Sequence, residues 1–172
     1  MSESNAERAR AALLATGFPL EVMDCDPALA DTAAFCAHYG VAPEDSANTI
    51  LVKGKTGESR YVACVVLAHT RLDVNRTVRK RLGSRRVSFA SAEETRALTG
   101  MEIGGVTPPG LPADLAVWVD ARVMERERIV LGGGDRATKL RVPPAALAAL
   151  PGVEIVPGLA VEPGVATEPA EE

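Results

Sequence analysis

Two β-branched runs constrain this chain more than any other stretch: Thr49-Ile50-Leu51-Val52-Lys53 and Arg60-Tyr61-Val62-Ala63-Cys64-Val65-Val66-Leu67-Ala68. They flank a polar connection, Lys55-Thr56-Gly57-Glu58-Ser59, and so predict a β-hairpin with a longer loop. Aromatic residues make up only 3% of the chain, so the core around that hairpin must be built from Ala, Val, Leu and Ile. The 172 residues suffice for one core, and 47% apolar with 24% charged residues is ordinary for a soluble globular protein.

Shorter elements surround the hairpin. Ser4 or Asn5 caps a helix over 6–15 that stops at Gly17, and Asp31 caps a second over 32–39 that closes at Gly40. Asp73 opens a third helix over 74–82. Ser91-Ala92-Glu93-Glu94 has the capping-box pattern and opens a fourth that ends at Gly100. Strands are expected over 86–90, 116–120, 128–131, 139–142 and 153–156, and Pro143-Pro144 opens a helix to Leu150. Hairpins interleaved with helices predict an α+β fold, with a mixed, largely antiparallel sheet or open barrel wrapped by helices. Residues 1–160 read as a single domain. From 161 to 172, Pro, Gly, Glu and Ala predict a disordered acidic tail.

Net charge is −4, so any nucleic-acid contact has to come from a local patch. One exists: Arg71, Arg76, Arg79, Lys80, Arg81, Arg85 and Arg86 have only Asp73 as a nearby acid. Taken alone it reads as a solvated helix face. No aromatic interleaves it, which speaks against base stacking there. The odd cysteine count without CxxC spacing (Cys25, Cys36, Cys64) predicts reduced thiols in a cytoplasmic protein. Cys36-Ala37-His38 lacks further ligands at metal spacing, so neither a metal nor a cofactor is expected. His69 follows a strand and reads as a surface histidine rather than a general base. Charged residues interrupt every apolar run well before membrane-spanning length.

The candidate site is the loop Thr99-Gly100-Met101-Glu102-Ile103-Gly104-Gly105-Val106-Thr107-Pro108-Pro109-Gly110-Leu111, with four of the fifteen glycines and two of the twelve prolines. Two readings are open. The glycines can serve turn geometry alone, or they can bring backbone N–H groups against a developing negative charge.

The order of these motifs resembles the YbaK/prolyl-tRNA-editing family of aminoacyl-tRNA deacylases, over roughly residues 20–158. The resemblance rests on Asn48-Thr49-Ile50-Leu51-Val52, the basic helix, Ile103 to Gly110, Val119-Asp120, and Gly132-Gly133-Gly134-Asp135-Arg136 ahead of Leu140 and Pro143. It implies hydrolysis of the ester that joins a small, wrong amino acid to the tRNA 3′ end, without a metal. In that chemistry the terminal ribose hydroxyl assists the attacking water. The partners implied are the aminoacyl-tRNA 3′ end and an aminoacyl-tRNA synthetase, with monomer and homodimer both open.

Under that resemblance Gly104 and Gly105 offer oxyanion donors, and Asn48 stands where many members carry lysine. Ile50, Val106, Thr107, Pro108, Gly133, Asp120 and Lys139 become substrate-binding candidates, with Asp120 read first as structural. Arg76, Arg79 and Lys80 become tRNA-phosphate contacts. Lys139 takes a position where some members place aspartate, and from the opposite wall it can restore the charge missing at Asn48. The alternative is a catalytically silent tRNA- or partner-binding module of the same fold. A small-molecule esterase is disfavoured because Gly-x-Ser-x-Gly is absent.

Overall fold

A computed structural model describes residues 4–55 and 60–162. Its elements are α1 (Asn5–Leu14), β1 (Glu21–Asp24), α2 (Thr32–Tyr39), β2 (Ala47–Gly54), β3 (Arg60–Leu67), β4 (Arg71–Leu72) and α3 (Arg79–Leu82). They continue with β5 (Val87–Phe89), α4 (Ala92–Thr99), β6 (Ala116–Asp120), β7 (Ile129–Gly132), β8 (Thr138–Val142), α5 (Ala145–Ala148), β9 (Val153–Val156) and β10 (Ala160–Val161).

The expected α+β architecture is the one adopted, and it does not close into a barrel. Five strands in the order β5-β2-β3-β6-β9 form the large sheet, and β1-β8-β7 form a second. Pairing is antiparallel throughout except for β3 with β6 and β6 with β9. A lone parallel bridge between Ser46 and Val130 joins the edges of the two sheets.

Strand alternation gives the large sheet two buried faces, which is why its central strands read as unbroken apolar runs. Leu51, Ala63, Val65, Val117 and Val119 pack with the second sheet, α1 and α5. Val52, Val62, Cys64, Val66 and Trp118 face the other way, under Val74, Val78, Leu82 and Leu159. A third cluster, with Cys25, Phe35, Cys36 and Val130, lies beneath α2.

Local signals act as read in α1 and α4. Ser4 accepts the Glu7 N–H, and the full Ser91–Glu94 capping box is formed. Elsewhere the structure departs from expectation. The helix expected over 74–82 begins as a π turn (Val74–Val78), closed by the Val78 N–H on Asp73 O (3.1 Å), before α3. The last helix is shorter than expected because the Leu150 N–H tightens onto Leu147 O (3.1 Å). The expected tail starts one residue too early, since Val161 belongs to β10 and pairs with Arg71. Glu162 is exposed and pairs with Arg122, while positions 163–172 of that tail and 56–59 of the hairpin loop lie outside the described residues. None of the described helices is long and apolar enough to cross a membrane.

Candidate active site

β5 covers the free edge of β2 only from Val52 to Gly54. Beyond it, residues 47–51 face the edge of β7, and the gap between the two sheets is a cleft of about 270 Å³. Its walls combine Ile50, Leu51, Val106 and Leu131 with the polar Asn48 and Thr49. The start of α2 (Asp31, Thr32) and the Ile103-Gly104 turn border it, and Lys139 of β8 lines it from the second sheet.

The glycine loops bring these parts together by backbone contact. A Cβ on Gly105 would lie 2.6 Å from the Asp135 carbonyl carbon, and the Gly134 N–H donates to Gly105 O (2.8 Å). That close approach requires glycine. Gly104 is the third residue of the turn, with φ +91°, a conformation that side chains with a Cβ rarely adopt. The Gly105 N–H itself closes the turn on Glu102 O (2.8 Å), so it is already engaged and the expected pair of glycine donors reduces to Gly104. The Ile103 carbonyl accepts from Arg136 Nη1 (2.5 Å), and the trans peptide therefore sends the Gly104 N–H to the opposite side of the loop.

Lys139 is the cleft's buried cation. Its side chain is in a residue only 5% exposed, and Nζ donates to Ala30 O (2.7 Å) and Gly104 O (2.9 Å). The Phe35 ring lies 5.1 Å from Nζ, and among the described residues no carboxylate pairs with it. Burial pushes its pKa down, against the smaller upward pull of Cys25. Two of three ammonium hydrogens are committed to neutral carbonyls, which leaves net positive charge and one donor beside the Gly104 turn. Asn48 is tied in differently: its Oδ1 accepts from the Thr32 hydroxyl, leaving its amide N–H groups as donors.

Asn48, Ile50, Gly104, Val106 and Lys139 thus share one cleft. Thr107 and Pro108 are buried behind it, and the Thr107 hydroxyl has no hydrogen-bond partner among the described residues. Gly133 packs against Thr138, where a Cβ would meet the carbonyl oxygen at 2.4 Å. Asp120 ends β6, with β3 between it and β2, and faces the Leu159–Ala160 segment. Burial raises its carboxyl pKa, opposed by the Ala160 amide and then by Arg122. Arg76 lies in the π turn, and Arg79 and Lys80 lie in α3, away from the cleft.

Sequence reasoning missed Thr49 and Arg136. The Thr49 hydroxyl is buried without a hydrogen-bond partner among the described residues, in a residue that lines the cleft. Arg136 donates to Pro27 O from Nε (3.1 Å) and Nη2 (2.9 Å), and to Asp31 Oδ1 (3.1 Å) and Ile103 O from Nη1. It clamps the α2 entrance to the Gly104 turn. Its partners are distant in sequence, so no local pattern betrays it.

The aminoacyl-tRNA editing domain family matches residues 26–150. A proline–tRNA ligase of Bacillus licheniformis is 32% identical over 98 residues, which span 56% of this chain but only 16% of the ligase. Among solved structures, one described as a candidate trans-editing enzyme for prolyl-tRNA synthetase superposes with a TM-score of 0.75 at 25% identity. The match covers 91% of this chain and 98% of that one. The hypothetical protein APE2540 superposes with a TM-score of 0.79, also at 25% identity, covering 90% of this chain and all (100%) of its own.

Proposed function

The chain belongs to the aminoacyl-tRNA editing domain family, and on that premise we propose that it is a deacylase acting on tRNA charged with a small, wrong amino acid. The ester between amino acid and terminal ribose occupies the cleft between β2 and β7. The observation that carries this reading is Lys139: a buried cation held by two carbonyls beside a glycine turn, facing a small aliphatic pocket.

Ester hydrolysis builds negative charge on the carbonyl oxygen as water adds. The Lys139 ammonium and the Gly104 N–H meet that charge, with the Asn48 amide as a neutral donor from the β2 wall. Water oxygen bonds to the acyl carbon, the carbon–oxygen bond to the ribose breaks, and the ribose oxygen leaves protonated. The products are the free amino acid and uncharged tRNA. The neighbouring ribose hydroxyl orients the water. In this assignment Lys139 supplies the charge that Asn48 lacks. Gly105 contributes through loop packing rather than as a donor.

Ile50, Val106 and Leu131 make the aliphatic walls that exclude larger side chains. Such a pocket discriminates by only about 1–3 kcal/mol per methylene, which is why editing uses a site separate from the synthetase that made the error. Arg76, Arg79 and Lys80 engage tRNA phosphates, and the synthetase whose errors are corrected is the natural protein partner.

The test is turnover of tRNAs charged with Ala, Ser, Thr, Cys and Pro, by wild type and Asn48→Ala at one salt concentration. Wild type is expected to deacylate one or two of the small amino acids, and Asn48→Ala to be slower. An inactive wild type that still binds tRNA favours the silent binding module, for which the neutral Asn48 is the supporting observation.

A further inference from the structure

The face of the large sheet beside the cleft carries a feature that ester chemistry does not use. Phe89 of β5 pairs with Val52 of β2, and directly paired residues share a sheet face. On β2 that face continues by alternation to Ile50 and Asn48, past the end of β5, where both line the cleft. Phe89 is thus the diagonal neighbour of Ile50, a spacing that an aromatic side chain spans. The next residue, Ala90, lines the cleft and donates its N–H to Leu51 O (2.9 Å). Phe89 is nevertheless 50% exposed.

On its other side the same sheet face is covered by the basic segment, whose Val74, Val78 and Leu82 pack with Val52 and Val87. Arg76 and Lys80 stand exposed there, and neither has a carboxylate partner among the described residues. The segment's one acid, Asp73, is buried and accepts from the Thr77 hydroxyl (2.9 Å). The sequence order hides this arrangement, because the aromatic ring lies beyond the basic run rather than within it.

An exposed ring between Arg76 and Lys80 on one side and a cleft for a small acyl group on the other suits single-stranded RNA. Phosphates meet Arg and Lys, and an unstacked base lies on the ring. Phe89 and nearby Ile103, the other half-exposed apolar residue here, offer too little apolar area for a protein docking face. Resting on the deacylase reading above, we propose that Phe89 is the stacking platform for the 3′-terminal base of the charged tRNA. Arg76 and Lys80 hold the phosphates that precede it, and the stacked base sets the depth to which the ester enters the cleft.

The experiment titrates an uncharged RNA hairpin with a single-stranded CCA 3′ end, followed by fluorescence anisotropy, against wild type, Phe89→Ala and Phe89→Trp. Phe89→Ala is expected to weaken binding by about 10- to 100-fold, the effect of one lost base–aromatic stack, and Phe89→Trp to bind like wild type. An RNA whose 3′-terminal nucleotide lacks its base should bind wild type as weakly as Phe89→Ala binds the intact RNA, with no further loss in the variant. Equal affinity of wild type and Phe89→Ala overturns the proposal. So does a loss in Phe89→Ala that persists in full on the abasic RNA. If Phe89→Ala does not fold, wild type with the two RNAs decides: equal affinity for both overturns it. Because the RNA carries no ester, base stacking without deacylation would overturn only the deacylase reading. Deacylation indifferent to Phe89 and to the terminal base would overturn only this one.

Discussion

Two lysines on facing sheets show how differently this fold treats positive charge. Lys53 of β2 lies on the rim, 3.0 Å from Glu94 Oε2 and above the Tyr61 ring at 5.9 Å. Glu94 raises its pKa, and the fold itself neutralises it. Lys139 is buried, held by carbonyls of Ala30 and Gly104, and burial lowers its pKa. A solvent-screened ion pair adds little to stability, whereas a buried cation without a carboxylate costs several kcal/mol. The first arrangement completes a corner of the fold. The second leaves a charge for something else to complete, which is what a site for a developing oxyanion requires.

The largest expected effect tests that contrast directly. Lys139→Met keeps the side-chain length and removes the buried charge. Deacylation should fall by about 10²–10³, the usual loss for one oxyanion donor, while thermal stability holds or rises. A variant as active as wild type would show that the cleft does not use the charge. The pH dependence has a definite sign. Because burial lowers the Lys139 pKa, activity that needs its charge fades on the alkaline side at a lower pH than an ordinary lysine would give. In that same window the unfolded chain binds more protons than the native one, so native stability climbs with pH. Lys139→Met should lose both the alkaline activity limb and that slope.

The two regions were also unequally legible in sequence. The Lys53–Glu94 corner rests on a capping box, a local pattern of four residues, and the helix it opens was readable from Ser91 to Gly100. The same holds for the β2–β3 hairpin and the β7–β8 hairpin, where apolar runs and glycines lie next to one another. The cleft depends on contacts between distant segments. Thr32 meets Asn48, Lys139 meets Ala30 and Gly104, and Arg136 meets Pro27 and Ile103. The family resemblance could nominate Asn48 and Lys139, but only the fold assigns the Gly105 N–H to Glu102 O. The β4–β10 pair was invisible for a similar reason: two-residue strands far apart in sequence carry no periodicity.

An intermediate effect is expected where loop packing supports the cleft but not the corner. Gly105→Ala forces a methyl group to within 2.6 Å of the Asp135 backbone, which cannot rotate away as a side chain would. Overpacking of this kind costs about 1–3 kcal/mol. The melting temperature should drop, and because the loop carries Gly104, the carbonyl that holds Lys139 shifts with it. Deacylation should therefore fall at temperatures where the variant is still folded, while the Glu94 corner is unaffected. If stability drops and the folded variant keeps full activity, the position of the Gly104 turn does not matter to the cleft.

The smallest effect belongs to the corner itself. Glu94 has its carboxyl pKa lowered to about 2 by the Ser91 amide first, then by the Tyr61 hydroxyl and Lys53. A carboxylate whose folded pKa lies below its unfolded value adds stability that is present above the unfolded pKa and lost as pH falls towards the folded one. Glu94→Gln keeps an acceptor for the Ser91 N–H but removes the ion pair, so a small loss of stability is expected at neutral pH. Between pH 4.5 and about 2 the wild type should lose stability more steeply than the variant, so that the two curves converge at the acid end. Chemical denaturation at several pH values reads this out. Deacylation at neutral pH should not change, because Lys53 and Glu94 satisfy each other on the rim while Lys139 faces the cleft. A variant with normal stability but slowed deacylation would mean that the two lysines are not independent, and that the rim charge reaches the substrate after all.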